Sequence, residues 1–245
     1  MTPAATALRL FGAIGAAAAS SAVIAIAAAA APGMAMAADR AHPVVVELFQ
    51  SQGCSSCPPA NANVLALSNR PDILALSFQV TYWDNLGWKD TFASPQYTDR
   101  QWEYARGFKH AQVYTPQVVI NGRADVVGAR SGEIEQAIAR ADRGPSGPAV
   151  EIAGDRVTVQ GGRAGRPADV WLVRFDPNVV QVPIRAGENG GRTLAHKNVV
   201  RELVRLGDWD GASRSFTLPA GRSDLAVAIL VQDGRGGPII AAARA

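Results

Sequence analysis

The chain has two cysteines, Cys54 and Cys57, three positions apart in the stretch FQSQGCSSCPPA. Two thiols at this spacing have three uses: a disulfide staple, a soft metal site, or electron exchange with another thiol–disulfide pair. As a staple the pair is poor, because loop-closure entropy grows with loop length. A ring this small is worth about 2 kcal/mol, against about 4.7 for a loop of about a hundred residues. As a metal site it lacks ligands. Structural zinc takes four nitrogen or sulfur donors, and the histidines His42, His110 and His196 are scattered along the chain. Two thiolates alone suit Cu(I). Exchange needs only the two sulfurs and a setting that lets the bond open, with no cofactor and no resident metal. Redox exchange is therefore the expectation, with Cu(I) handling or partner-protein binding on the same scaffold as the alternative.

These sulfurs must be positioned by what surrounds them. After Pro43, residues 44–49 (VVVELF) form a nearly continuous β-prone run, the pattern of a strand buried on both faces. A short helix is predicted over 61–69, and a second buried strand over 73–83 (ILALSFQVTYW). Ser94-Pro95 supplies a cap and a first helical residue for a helix ending at Arg106 or Phe108. Tyr114-Thr115-Pro116 introduces a third strand at 117–120. Asn121-Gly122 is a hairpin turn signal, and 125–129 is the returning strand. Ser131 then opens a helix whose Ile134, Ala137, Ile138 and Ala141 fall on one face.

A Gly-Pro-rich linker occupies 144–148. Beyond it, β-prone runs at 149–153, 156–160, 169–175, 179–184, 213–218, 225–232 and 239–243 alternate with turns, and 194–206 reads as a long strand or a mixed segment. This spacing predicts an antiparallel, sandwich-like region. The expected organisation is a leader at 1–38, an α/β domain at 43–143 and a β-rich domain at 148–245.

Arg9 is the only charge among the first thirty-eight residues, and an apolar stretch runs from there to Ala31, followed by Ala35-Met36-Ala37. These are the parts of a secretory signal peptide, with cleavage expected near Ala37 or Ala38. The apolar stretch is longer than usual for that role, so an uncleaved membrane anchor is the alternative. Export would bring the cysteines to a periplasmic or extracellular setting, where a disulfide persists. The formal net charge is only +3. It is spread along the chain without a Lys/Arg run, so no nucleic-acid partner is expected.

The order of strand, CxxC, helix, strand, helical insertion at 84–113, Thr-Pro, hairpin and helix resembles the thioredoxin fold over 43–143. More narrowly, LFQSQGCSSCPPAN and YWDNLGWKDTFASPQYTDRQ resemble the secreted bacterial thioredoxin-like family called domain of unknown function 1223. GENGGRTLAHKNVVREL and VQDGRGGPIIAAA extend that similarity over nearly the whole mature chain.

The resemblance implies a fold and a location but no established reaction, and it implies roles by position. Cys54 would stand exposed before a helix and attack a partner disulfide, and Cys57 would be shielded and resolve the mixed disulfide. Pro116 would be cis and face the cysteines, with Thr115 beside it where a substrate peptide pairs. Glu47 would be the buried acid that shuttles the proton of Cys57. An arginine-paired or solvent-facing glutamate is the alternative, and Asp84 is a rival for the role. Partners would be protein or peptide thiols and disulfides, including a partner reductase or oxidase. One departure stands out. Pro58 and Pro59 favour a helix beginning at or just before Pro58, which would put Cys57 rather than Cys54 at its start.

Residues 82–114 hold nine of the chain's sixteen aromatics. Most are expected to pack, with Trp83, Asp84 and Trp88 bordering the thiols. The loop at 187–192 (GENGGR) lacks the strand-loop-helix setting of a phosphate loop and reads as a solvated turn. His196 reads as structural, with a ligand or base role as the alternative.

Overall fold

The computed structural model describes residues 1, 2, 4, 37–163 and 165–245. The expected leader lies almost wholly outside the described residues. Within Ala35–Ala245 the chain forms one compact unit.

Its centre is a parallel pair, β1 (Val44–Gln50) and β2 (Ile73–Gln79), buried along their whole lengths as the apolar runs require. Between them lies α1 (Cys57–Leu67), which begins four residues before the 61–69 run, at the start that Pro58 and Pro59 in its first turn favour. Proline is tolerated there because the first amides of a helix lack partners anyway. After β2 come α2 (Pro95–Phe108) and β3 (Gln117–Ile120), which runs antiparallel to β1. Asn121 and Gly122 both take left-handed backbone angles, with φ of 48° and 59°, and return the chain into β4 (Ala124–Val127). Next is α3 (Ser131–Ala141).

Alternation along β1 divides its neighbours. Val44, Val46 and Leu48 face α1 and α3 through Ala60, Val64, Ile134 and Ala137. Val45 and Phe49 face α2 through Tyr97 and Tyr104.

The second half supplies β5 (Val150–Ala153), β6 (Arg156–Val159), β7 (Ala168–Asp176), β8 (Val180–Pro183), β9 (Thr193–His196), β10 (Val199–Trp209), β11 (Arg214–Thr217), β12 (Ala226–Gln232) and β13 (Ile239–Arg244). The expected break at 144–148 does not end the sheet. β10 joins the outer edge of β2, with Val199 opposite Ser77, and the strand order is β13-β12-β7-β10-β2-β1-β3-β4. The two halves therefore share one eight-stranded, mostly antiparallel sheet. The physical reason is that β2 is buried, so the N–H and C=O groups of its outer edge need partners, which the start of β10 supplies, as where the Ser77 amide donates to the Asn198 carbonyl at 2.9 Å. α2 spans the seam: the Tyr97 hydroxyl donates to the Val200 carbonyl at 3.2 Å and Gln96 to that of Leu203 at 2.8 Å.

Sandwich-like packing is confined to β5, β6 and β11, whose Val157, Val159 and Phe216 cover Val170, Leu172 and Ile229 of the main sheet. The ambiguous segment 194–206 is divided. β9 pairs with β8 in a separate hairpin, and Asn198, at φ 52°, turns the chain into β10.

Candidate functional site

Cys54 and Cys57 are joined in a disulfide, with Cα atoms 5.4 Å apart. Ser56 is the cap residue of α1 and Cys57 its first residue, so Cys54 lies before the helix and not at its end. Pro58 and Pro59 further thin the amides there, and a Cys54 thiolate would gain little from the helix dipole. Hydroxyls surround its sulfur instead, with Ser56 Oγ at 3.3 Å and Thr115 Oγ1 at 3.4 Å. The Trp83 indole donates to Thr115 Oγ1 at 2.8 Å. Because an indole N–H can only donate, the Thr115 hydroxyl keeps its own proton free for the sulfur. The Thr115–Pro116 bond is cis, as expected. Trp88 reaches the turn by another route, donating to Gln52 Oε1 at 2.9 Å.

Glu47 is not beside the sulfurs. By the alternation of β1 it points to the α2 face, whereas α1 packs on the other. There its carboxylate accepts from Arg100 Nε at 2.7 Å and from the Tyr104 hydroxyl, and Arg100 also donates to Gln232 Oε1 at 3.1 Å. The proton-shuttle expectation is corrected accordingly: Glu47 is the arginine-paired glutamate of the alternative. Asp84 is also engaged elsewhere, accepting the Asp90 amide at 3.1 Å.

What lies beneath Cys57 is a neutral polar network that sequence reasoning missed. Asn61 is one helical turn beyond Cys57 on the same face of α1. Its Oδ1 accepts from Gln50 Nε2 at 2.9 Å, and the same Gln50 group donates to Ser77 Oγ at 2.7 Å. Asn61 Nδ2 is thereby turned to the Ala195 carbonyl and to His196 Nδ1, both at 2.9 Å. His196 Nδ1 is therefore an acceptor and the ring is neutral. Burial drives its pKa down to about 4. The only signal in sequence is a single Asn at the right helical spacing, too common to act on.

Asp90 anchors the turn that leads into Cys54. Its Oδ2 accepts the Gln52 amide at 2.7 Å and its Oδ1 the Phe92 amide at 2.8 Å. Burial raises its pKa to about 6 against the pull of those amides.

The loop at 187–192 is an exposed turn, as expected, at every residue but Asn189. Asn189 is 0% exposed, and its Nδ2 donates to the carbonyls of Gln52 and Cys54, each at 2.9 Å. Glu188 Oε2 accepts the Ser55 amide at 3.1 Å, and Ser55 holds that carboxyl below the usual range. Arg192 Nη1 donates to Asn189 Oδ1 at 2.8 Å. Behind the loop, Val182, Ile184 and Leu194 of the β8–β9 hairpin pack on Trp88 and Phe92. Cys54 is 0% and Cys57 1% exposed, although Ser55 and Ser56 between them are exposed. The expectation of an exposed first cysteine is corrected: Cys54 is buried, in a turn whose main chain the C-terminal half holds by hydrogen bonds. Among the described residues no group of three or more His, Cys, Asp or Glu side chains is gathered to hold a metal ion.

The chain is similar to the crystal structure of a structural-genomics target from Agrobacterium tumefaciens. The identity is 32%, covering 84% of this chain and 94% of that one, with a TM-score of 0.70. It is also similar to HBP35 of Porphyromonas gingivalis, at 14% identity over 85% of this chain and 76% of that one, with a TM-score of 0.51, a likeness of fold alone. No curated protein matches. The family model described as "Protein of unknown function (DUF1223)" matches residues 45–232, and the chain belongs to that family.

Proposed function

We propose that the protein is an exported, thioredoxin-like thiol–disulfide oxidoreductase acting on protein or peptide partners through Cys54 and Cys57. The observation that carries this reading is the Thr115 hydroxyl. Oriented by Trp83, it directs a proton toward Cys54 Sγ, where a thiolate would need a donor. The strand order β2-β1-β3-β4, with α1 and α3 on one face and α2 on the other, supports the thioredoxin-like part. Export, to the periplasm or beyond, rests on the leader pattern of residues 1–38.

Starting from the oxidised pair, a thiolate of a partner dithiol attacks Cys54 Sγ in line with the S–S bond. The partner–Cys54 bond forms as the Cys54–Cys57 bond breaks, and Cys57 leaves as a thiolate that takes up a proton. The partner's second thiolate then attacks its own sulfur in the mixed disulfide and releases Cys54, whose thiolate the Ser56 and Thr115 hydroxyls stabilise. Two electrons pass from partner to chain; the partner thiols give up their protons to solvent as they ionise, and Cys57 takes one up from it. In reverse, the reduced pair reduces a partner disulfide.

The test is trapping. A Cys57→Ser chain, offered a protein disulfide, is expected to accumulate a mixed disulfide through Cys54 that dithiothreitol releases, and the wild type to exchange with a reduced two-cysteine peptide. Absence of both, with tight uptake of one Cu(I) per chain, would instead assign a binding module without turnover.

A further inference from the structure

Exchange at Cys54 requires a partner sulfur to approach along the disulfide axis, yet the disulfide is sealed. The tip of the β8–β9 hairpin, which lies outside the eight-stranded sheet, is hydrogen-bonded to the main chain of the cysteine turn at Gln52, Cys54 and Ser55. The base of the hairpin is fixed, since Asn61 holds the Ala195 carbonyl and His196. The tip itself turns on glycines. Gly187 and Gly191 have φ of 72° and 82°, and nothing lies within 4 Å of a Cβ built on Gly191. A lift confined to 185–192 would uncover the sulfurs without disturbing the strands.

The hooks that hold this tip down have a common character. Asn189 fills two main-chain acceptors, the carbonyls of Gln52 and Cys54. Glu188 fills one main-chain donor, the Ser55 amide. When the tip lifts, the Gln52 carbonyl and the Ser55 amide lose their partners and the Cys54 carbonyl keeps only the Cys57 amide at 3.2 Å, and groups left unpaired in a closed site are costly. Whatever enters must bring N–H donors for the carbonyls and an acceptor for the amide. An extended polypeptide carries both in alternation along its main chain. A small dithiol without amides carries neither.

We propose that residues 185–192 are a flap latched by Asn189 and Glu188. The partner that displaces it is an extended polypeptide segment whose main chain takes over the latch's hydrogen bonds to Gln52, Cys54 and Ser55. This rests on the exchange reading of the cysteine pair. Asn189 is on this account a positioning residue: it sets which partners reach the sulfur and does not itself touch the reacting atoms.

The experiment compares the rate of reduction of the Cys54–Cys57 bond by dithiothreitol and by a reduced, unfolded two-cysteine peptide. The proteins are the wild-type chain, Asn189→Ala, Asn189→Asp and Glu188→Gln, with thermal melts to confirm folding. Asn189→Asp sets a carboxylate against two carbonyls and should hold the flap open, whereas Glu188→Gln keeps an acceptor for Ser55. Both Asn189 variants are expected to react with dithiothreitol about ten-fold faster than wild type or more, the effect of two lost hydrogen bonds. Glu188→Gln should fall between wild type and the Asn189 variants, because its amide oxygen still accepts that bond but without the carboxylate's charge. Relative to a small reference disulfide, the wild type should prefer the peptide, and the Asn189 variants should lose that preference. Deuterium exchange at Ser55 should rise in Asn189→Asp. Wild-type rates and wild-type Ser55 protection in both Asn189 variants would overturn the flap while leaving peptide exchange, and so the redox reading, intact. Faster dithiothreitol reduction in those variants with no peptide exchange by any form would overturn the polypeptide partner and the redox reading together.

Discussion

The Trp83 indole and Cys54 Sγ are linked through one hydroxyl, that of Thr115, 2.8 Å from the first and 3.4 Å from the second. That geometry predicts an acidity. A hydrogen bond to a charged group is worth about 1.5–3 kcal/mol, so removing it by Thr115→Val should raise the Cys54 thiol pKa by about one unit or more. Trp83→Phe keeps the hydroxyl but frees its orientation and should give a smaller rise. The pH dependence of alkylation of Cys54 in the reduced chain reads this directly. An unchanged midpoint in Thr115→Val would remove the hydroxyl from the site's chemistry.

Arg100 tells against an electrostatic role for Glu47 in exchange. The two side chains are buried together at 2.7 Å, and the guanidinium also lies over the rings of Phe78, Tyr104 and Trp171 at 5.1–5.8 Å. Replacing it by Met leaves a carboxylate unpaired in the core, which costs about 3–5 kcal/mol. Arg100→Met should therefore show a large fall in the urea midpoint. The milder Glu47→Gln should lose some stability and keep the wild-type rate of dithiothreitol reduction of Cys54–Cys57, because the pair faces away from α1. A slowed reduction in a folded Glu47→Gln chain would reopen the proton-shuttle role.

Much of this arrangement was legible in the chain because local rules govern it. β1, β2, α2 and β3 were readable from apolar runs, the Ser94-Pro95 start and the Asn121-Gly122 turn, all of which act within a few residues. Pro58 and Pro59 correctly signalled a helix that starts at Cys57. What stayed hidden depends on pairings across more than a hundred positions. Val199 beside Ser77, which fuses the two halves, is one. Asn189 on the Cys54 carbonyl is another. The glycines of 187–192 indicate its exposed turn, but nothing local marks Asn189 as the residue that turns inward. Glu47 was misplaced because counting residues back from Cys54 does not fix which face of the strand an acid occupies, whereas alternation with Leu48 does.

Two buried groups near the site should oppose each other with pH. Asp90 has its pKa raised from 3.8 to about 6 by burial. Over that window the folded chain holds a proton the unfolded chain has lost, so its contribution to stability falls as pH rises. His196 has its pKa lowered from 6.5 to about 4, also by burial. There the unfolded chain holds the extra proton, and the contribution rises with pH. Each shift is worth about 3 kcal/mol across its window, so in the wild type they largely cancel. His196→Gln, which keeps an acceptor for Asn61, should gain stability relative to wild type as pH falls from 6.5 to about 4, since the penalty for leaving His196 uncharged is gone. Asp90→Asn should lose it over the same range. Urea midpoints compared with wild type at each pH isolate the two groups from the other carboxylates. Parallel pH profiles for all three chains would mean that neither group is shifted.

Gly187 makes the last case, because its geometry permits no side chain without a cost. It sits at φ 72°, and a Cβ there would come 3.1 Å from Trp88 Cβ and 3.3 Å from the Leu86 carbonyl oxygen. An alanine in the left-handed region costs about 1–2 kcal/mol, and the crowding against Trp88 adds to it. Because the strain falls on the loop and not on the eight-stranded sheet, it should be relieved by local opening more readily than by global unfolding. Gly187→Ala is expected to raise amide exchange across 187–192 and at Ser55 about ten-fold, as about 1.4 kcal/mol of local destabilisation requires. The urea midpoint should fall as well, by no more than that same amount of stability, because the strained closed loop is part of the folded state. A variant that unfolds globally with unchanged exchange at Ser55 would show that this loop and the cysteine turn open only with the whole fold.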